Sequence, residues 1–394
     1  MSLCAFRRRF RSARLLWGIV WLMMWPASAP RTSQSVGAAV VADPLTTVAP
    51  NTAYAADLAL AARYAPVFHQ GLGQTPRFDY ITNFDFDNDW RGDNNWQNAE
   101  DTRFPLAAWV YFSVCETTTH YFIHYAVFHP RDWKGGNRRG VVMSDLLRIG
   151  ARYGRRYDPT GVVDDLVLAH ENDLEGCLVV VAKARGGAAN RERVVFVESL
   201  SHNKFLRYTP GTGQAANTVR LEGDRPLLFI EPRGHGIEAY RGSQRQLRDS
   251  DKGIVRYEYA GQPGVPGDGE PPQRLGYALT PLGPTLWARA QGGRNETYGE
   301  QFNYGTRHIT VAGGRRALWL GVLGSAFLGV NGGRNMARPP WGWFDRNERH
   351  RPLGEWYFDP AATIKRHFQL GSDFSTSYVA HPLLQPAAGR TPRD

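Results

Sequence analysis

Residues 107–128 read AAWVYFSVCETTTHYFIHYAVF, and this stretch decides the fold class. Two runs of β-branched and aromatic residues, Ala107 to Val114 and His120 to Phe128, flank the polar segment Glu116-Thr117-Thr118-Thr119. Residues of those types, in runs of that length around a short polar break, predict a β-hairpin. Outward from it the punctuation stays that of a β protein, with 42 Gly, 25 Pro and short apolar runs between turn residues. The same pattern predicts strands at Gly176–Ala182, Val194–Leu200, Thr218–Leu221, Leu227–Glu231, Ile254–Tyr259 and Gln273–Leu279. Many strands and few helices point to a mostly β protein, an antiparallel β-sandwich of jelly-roll type with a few short helices and long loops. A helix is expected from Ala53 to Tyr64, stopped by Pro66. The run Ala317 to Val330 is apolar, interrupted by glycine and too short to span a bilayer, and is expected in the core or in a pocket wall.

The N-terminus has a separate purpose. Arg7, Arg8, Arg9, Arg11 and Arg14 precede an apolar run from Leu15 to Trp25, followed by Ala27-Ser28-Ala29, so residues 1–29 read as a secretory signal. Pro30 disfavours cleavage after Ala29, which leaves Ala53-Tyr54-Ala55 as a second cleavage site and an uncleaved membrane anchor as a third arrangement. The expected location is secreted or periplasmic. Removing the leader lowers the formal charge from +10 to +5, so the basic balance belongs partly to the leader and gives no reason to expect nucleic acid as a partner. Residues 30–52 read as a linker, 53–384 as a single β domain, and 385–394 as a disordered tail. Within the domain, 134–160 form a basic insertion with helical spacing from Val142 to Tyr153. Cys115 and Cys177 remain after the leader is removed, and the sequence leaves open one disulfide or two buried thiols.

The chemistry concentrates in Ala169-His170-Glu171-Asn172-Asp173-Leu174-Glu175-Gly176, which runs straight into Cys177-Leu178-Val179-Val180-Val181. One imidazole and three carboxylates beside a buried strand are costly unless paired, hydrogen-bonded or bound to a cation. Strand alternation puts Asp173 and Glu175 on one face, and His170 is then expected from the loop leading in. Such an entry can bring one nitrogen and two carboxylates onto a hard divalent cation, Ca²⁺, Mg²⁺ or Mn²⁺. The other reading is a polar strand entry held by internal hydrogen bonds. Upstream, Asp85, Asp87, Asp89 and Asp93 occupy positions 1, 3, 5 and 9 of a calcium loop, but Trp90 and Trp96 stand where an EF-hand needs Gly and an acid. That segment reads either as a looser second metal loop or as an acidic turn satisfied by Arg91 and backbone amides. Phe128-His129-Pro130-Arg131-Asp132, Ser201-His202-Asn203 and Gly234-His235-Gly236 each follow an apolar run, which puts histidines and acids at strand ends.

Taken in order, Tyr125 with Phe128-His129-Pro130-Arg131-Asp132, His170-Glu171-Asn172-Asp173-Leu174-Glu175, Ser201-His202 and Gly234-His235-Gly236 resemble the necrosis-inducing, ethylene-inducing-like toxins and the related vacuolar-protein-sorting-associated family. In the toxins a G-H-R-H-D-W-E segment and an upstream aspartate hold a divalent cation in a β-sandwich, and the proteins bind sphingolipid head groups and lyse membranes. The vacuolar family's H-E-G-D-W-E also covers Glu171. The resemblance spans residues 64–240 and implies Asp132, His170, Asp173 and Glu175 as cation ligands. This chain departs from it at Asn172, at Leu174, and in the 37 residues between Asp132 and His170, where the basic insertion lies.

Two functions follow as expectations. In the first, an exported, membrane-active or non-lytic binding protein uses its cation to receive a glycan or lipid head group, with an anionic membrane surface favoured by Lys134 and the 138–156 arginines. In the second, a metal-dependent hydrolase cleaves phosphoester or glycosidic bonds, with His202 or His235 as general acid or base and Glu171 as a spare carboxylate. The chain has no nucleophile elbow and no zincin motif. The aromatic segments 339–345 and 354–356 read as a packed loop.

Overall fold

The computed structural model describes residues 52–132, 170–184, 191–291, 296–329 and 337–384. The leader, nearly all of the linker, the basic insertion and the tail lie outside the described residues. The first helix, α1, spans Thr52–Tyr64 and ends two residues before Pro66, whose ring disfavours helical backbone at Ala65. No described helix is long and apolar enough to cross a membrane.

Fifteen strands follow: β1 Val67–Gly71, β2 Trp109–Thr117, β3 His120–Asp132, β4 His170–Ala182, β5 Arg193–Leu200, β6 Phe205–Pro210, β7 Thr218–Val219, β8 Leu221–Glu222, β9 Arg225–Ile230, β10 Ile237–Ala239, β11 Ile254–Tyr259, β12 Arg274–Pro281, β13 Tyr298–Val311, β14 Gly314–Phe327 and β15 Tyr378–Ala380. The hairpin read from residues 107–128 is present as β2 and β3, and strands stand at each segment expected from 176 to 279, although β4 starts earlier, at His170, and the segment from Thr218 is split into β7 and β8. The chain is mostly β, but its sheet is mixed rather than that of an antiparallel sandwich. Its order is β10-β9-β1-β11-β12-β2-β3-β4-β5-β6-β7. Strand β1 pairs parallel to β9, and β12 pairs parallel to both β11 and β2. The two ends of this path approach each other, because Ser199 Oγ donates to the Ile237 carbonyl (2.6 Å) and the Ala239 amide donates to Tyr208 Oη (3.2 Å). The sheet is therefore nearly closed, an arrangement that removes exposed edges.

The core lies along the central strands, where Tyr125, Val127, Cys177, Val179, Tyr257 and Tyr277 are almost wholly buried. Buried tyrosine hydroxyls need acceptors. Tyr125 donates to the Ala61 carbonyl and Tyr277 to that of Pro66, both at 2.7 Å, which ties α1 and its exit to the sheet. Cys115 and Cys177 are both free thiols in this core, and burial pushes both up in pKa.

The aromatic loop forms the support beneath the site. Trp341, Trp343 and Trp356 are buried, and Trp343 Nε1 donates to the Leu174 carbonyl (3.1 Å). Its ring lies on Gly176, where a Cβ would come within 2.4 Å of the indole and 2.5 Å of the Tyr125 carbonyl. Only glycine lets the two approach so closely. The run from Ala317 is only partly in its expected place. It is the second strand of a long β13–β14 hairpin, burying Leu318 and Leu323 while leaving Trp319 86% exposed.

Candidate functional site

The site is built where β3 ends and β4 begins. The two strands pair antiparallel with Asp132 opposite His170 and His129 opposite Asp173. His170 is the first residue of β4 rather than part of a preceding loop. In a regular strand it would face away from Asp173 and Glu175. Asn172 resolves the conflict with a left-handed φ of 62°, which breaks the two-residue alternation and turns His170 onto the same side. Asparagine is among the few non-glycine residues that adopt this conformation readily. Its side chain is fully engaged, donating to the carbonyls of Gly92 (2.6 Å) and Leu328 (2.7 Å) and accepting from Asn95 Nδ2 (2.6 Å).

Asp132, His170, Asp173 and Glu175 accordingly line one cavity of about 40 Å³, together with His202, Arg338 and Trp343. His170 Nε2 stands 3.7 Å from Asp132 Oδ2. Its Nδ1 lies 3.0 Å from the Glu171 carbonyl, which can only accept, so Nδ1 donates there and Nε2 is the ring nitrogen turned toward Asp132. Glu175 is buried. One of its oxygens accepts the His202 amide at 3.3 Å, and the other, Oε2, has no hydrogen-bond partner. Burial, reinforced by the neighbouring Asp173 carboxylate, pushes Glu175 well above the usual carboxylate range. Among the described residues, no three His, Cys, Asp or Glu side chains already stand grouped as a metal-holding set. The four groups surround the cavity without closing on a common centre.

Asp173 is held from behind. Its Oδ2 bonds His235 Nδ1 at 2.9 Å, and His235 Nε2 reaches Asp79 Oδ1 at 3.2 Å. Asp79 in turn accepts the amides of Gly73 (2.7 Å) and Arg233 (2.6 Å). Burial opposes charge on both Asp173 and His235, but their mutual bond overrides it. Asp173 is driven below the usual carboxylate range, and His235, between two carboxylates, is raised to about 10. His129 stacks on His235 with centroids 3.7 Å apart and bonds Gln70 Oε1 through Nε2 at 2.9 Å. Burial, and then the His235 charge, lower it well below the ordinary histidine value. The result is a carboxylate–imidazolium–carboxylate row that fixes the Asp173 rotamer. Nothing in the sequence drew attention to Asp79, although an acid set in Phe78-Asp79-Tyr80-Ile81 is a sign of a buried, partnered carboxylate.

The remaining candidates fall elsewhere. His202 lines the cavity and bonds Glu231 Oε2 at 2.8 Å. His235 is fully buried in the row described above, and Glu171 is buried on the other side of β4 against Gly329, so neither of the two reaches the cavity, and of the two histidines expected as alternative general acids or bases only His202 lines it. Strand parity turns Glu171 away from His170, and the carboxylates of Asp173 and Asp79 on either side of its ring hold His235 inside. Arg131, beside Asp132, is buried between the rings of Phe78 and Trp96, each 3.9 Å away, and bonds Glu100 at 2.9 Å. In the upstream acidic segment Asp85 accepts from Asn83, Asp87 from Asn98, Asp89 from Asn94 and the Arg91 amide, and Asp93 from Arg91.

No protein-family model matches the chain, and no curated protein sequence does. Solved structures similar to it include a necrosis and ethylene inducing protein. Necrosis and ethylene inducing protein 2 from the causal agent of cocoa's witches' broom disease matches at 16% identity and a TM-score of 0.26, over 46% of this chain and 67% of that one. NLPPya in complex with mannosamine gives 16% and 0.26, over 46% of this chain and 65% of its own. The non-toxic HaNLP3 protein gives 11% and 0.25, over 59% and 79%. This chain thus spans about two thirds of the length of the first two. No comparison supports the vacuolar-protein-sorting part of the resemblance.

Proposed function

We propose that this is an exported protein that binds one hard divalent cation between Asp132, His170, Asp173 and Glu175 and uses it to receive oxygens of a glycan or lipid head group. The observation that carries the reading is the buried Glu175 Oε2, which has no hydrogen-bond partner in a cavity lined by two further carboxylates and the His170 imidazole. A buried carboxylate without a partner is costly, and a cation is the ligand that removes the cost. One nitrogen and three carboxylates suit Ca²⁺, Mn²⁺ or Mg²⁺ better than a thiolate-seeking metal. The row through His235 and Asp79 acts as the outer support that orients a ligand group. A cation held by these four side chains would keep positions for exchangeable oxygens.

The test is calorimetric titration of the chelator-treated protein with each cation, followed by glycan-headed and plain vesicles with and without EDTA. The reading predicts stoichiometric cation binding, lost in Asp132→Asn, and head-group binding that EDTA abolishes. Absence of cation binding contradicts it, and head-group binding indifferent to EDTA contradicts the proposed use of the cation.

A further inference from the structure

The β13–β14 hairpin presents a surface unlike the rest of the molecule. Its inner face packs Tyr304, Ile309, Leu318 and Leu323 into the body, as half of an amphipathic ribbon should. Its outer face should then be polar, and it is not. Trp319 is 86% exposed and Val322 53%, and Phe302 at the rim of the inner side is 42% exposed. Val379, 51% exposed, lies on β15, which bridges to the ribbon's end at Val311. These are four of the seven large hydrophobic side chains that are exposed among the described residues. Phe302, opposite Leu323, lies on the inner side with its ring against Tyr304 (centroids 4.9 Å), while register puts Val322 opposite Asn303 and Trp319 opposite Thr306 on the outer face. Between them Gly305 and Gly321 face each other, both with φ of 60°, a left-handed pair that bends the ribbon and that side chains would strain.

Beyond Glu300 at its base, which pairs with Arg338, the charge on the ribbon has one sign. From Phe302 to Phe327 there are Arg307, Arg315, Arg316 and His308, and no Asp or Glu. Arg315 and Arg316 follow the turn at the start of β14 and form no ion pair among the described residues. An exposed indole beside aliphatic groups, with unneutralised arginines at the tip, matches the boundary of an anionic bilayer, where tryptophan rings settle at head-group depth and arginines meet phosphates. Two copies meeting through this face would set the same arginines against each other, which disfavours self-association. We infer that the outer face of the β13–β14 hairpin docks on an anionic lipid surface, inserting Trp319 and its apolar neighbours, without need of a divalent cation.

This contact does not rest on the cation cavity, so it is tested in EDTA. Amide hydrogen exchange of the full chain is measured with phosphatidylcholine vesicles, with vesicles containing phosphatidylserine, and without vesicles. The readout is confined to residues 302–322, so membrane contact by the N-terminal leader does not contribute to it. Phosphatidylserine vesicles should slow exchange in this segment at least fivefold, Trp319→Ala should remove the slowing, Trp319→Phe should retain most of it, and Arg315→Gln with Arg316→Gln should weaken it. Trp319 is exposed, so its replacement leaves the fold intact. No slowing, equal slowing in Trp319→Ala or with neutral vesicles, or slowing that appears with rising protein concentration alone would each overturn the inference.

Discussion

Replacing His235 by Leu probes the support behind the cavity most severely. The imidazole is fully buried between Asp173 (2.9 Å) and Asp79 (3.2 Å), and both carboxylates are themselves buried. Leucine leaves two acids facing an apolar side chain, with only the Gly73 and Arg233 amides still serving Asp79. Breaking a buried pair by removing one partner costs about 3–5 kcal/mol. At about 2 °C per kcal/mol for a domain of this size, the melting temperature should fall by roughly 6–10 °C. The effect carries a pH signature, read in EDTA by urea unfolding of both proteins from pH 5 to 10. The folded His235 pKa, about 10, is above its ordinary 6.5, so its contribution is fully present below pH 6.5 and is lost as pH rises toward 10. Asp173 is depressed in the fold, so its contribution holds above the ordinary carboxylate pKa and is lost in acid. The gap between wild type and variant should therefore be widest from about pH 5 to 6.5 and narrow steadily above it. A variant as stable as wild type, or a gap that widens from pH 6.5 to 10, would refute the charged row.

Glu175→Gln should behave in the opposite way. A raised carboxylate favours folding below its ordinary pKa and disfavours it as pH rises, so in EDTA at pH 8 the variant should melt at or above wild type, while the thermal gain from millimolar Ca²⁺ disappears. A variant that melts lower in EDTA and keeps the calcium gain would remove Glu175 from the site. Gly176→Ala should destabilise by about 1–3 kcal/mol or more, because its Cβ meets Trp343 and the Tyr125 carbonyl. Chemical denaturation checks this, and a neutral result would mean that Trp343 does not brace β4 as described.

Much of the fold was legible locally. Alternation and residue type located β2, β3, the apolar half of β4, β5, β9, β11 and β12, and Pro66 marked the end of α1. The parallel pairings of β1 with β9 and of β12 with β2 join segments far apart in the chain, and no local pattern encodes them, which is why an antiparallel sandwich was expected. The run from Ala317 was read as core or pocket wall, and Leu318, Leu323, Ala326 and Phe327 are buried as expected, but composition could not separate the exposed Trp319 and Val322 from them. At the site, the clustering of His170, Asp173 and Glu175 was readable as charge density, but the left-handed turn at Asn172 that brings His170 around, and the partnership of His235 with Asp79, depend on contacts across the fold.

The central claim is that one cation sits among four named side chains. Anomalous diffraction from crystals soaked in Mn²⁺ tests it most directly. The account predicts a single strong peak within about 2.0–2.6 Å of oxygens of Asp132, Asp173 and Glu175 and of His170 Nε2, absent in Asp173→Ala crystals. A cavity without a peak at saturating Mn²⁺, or a peak held only by Asp85, Asp87, Asp89 and Asp93, would contradict it.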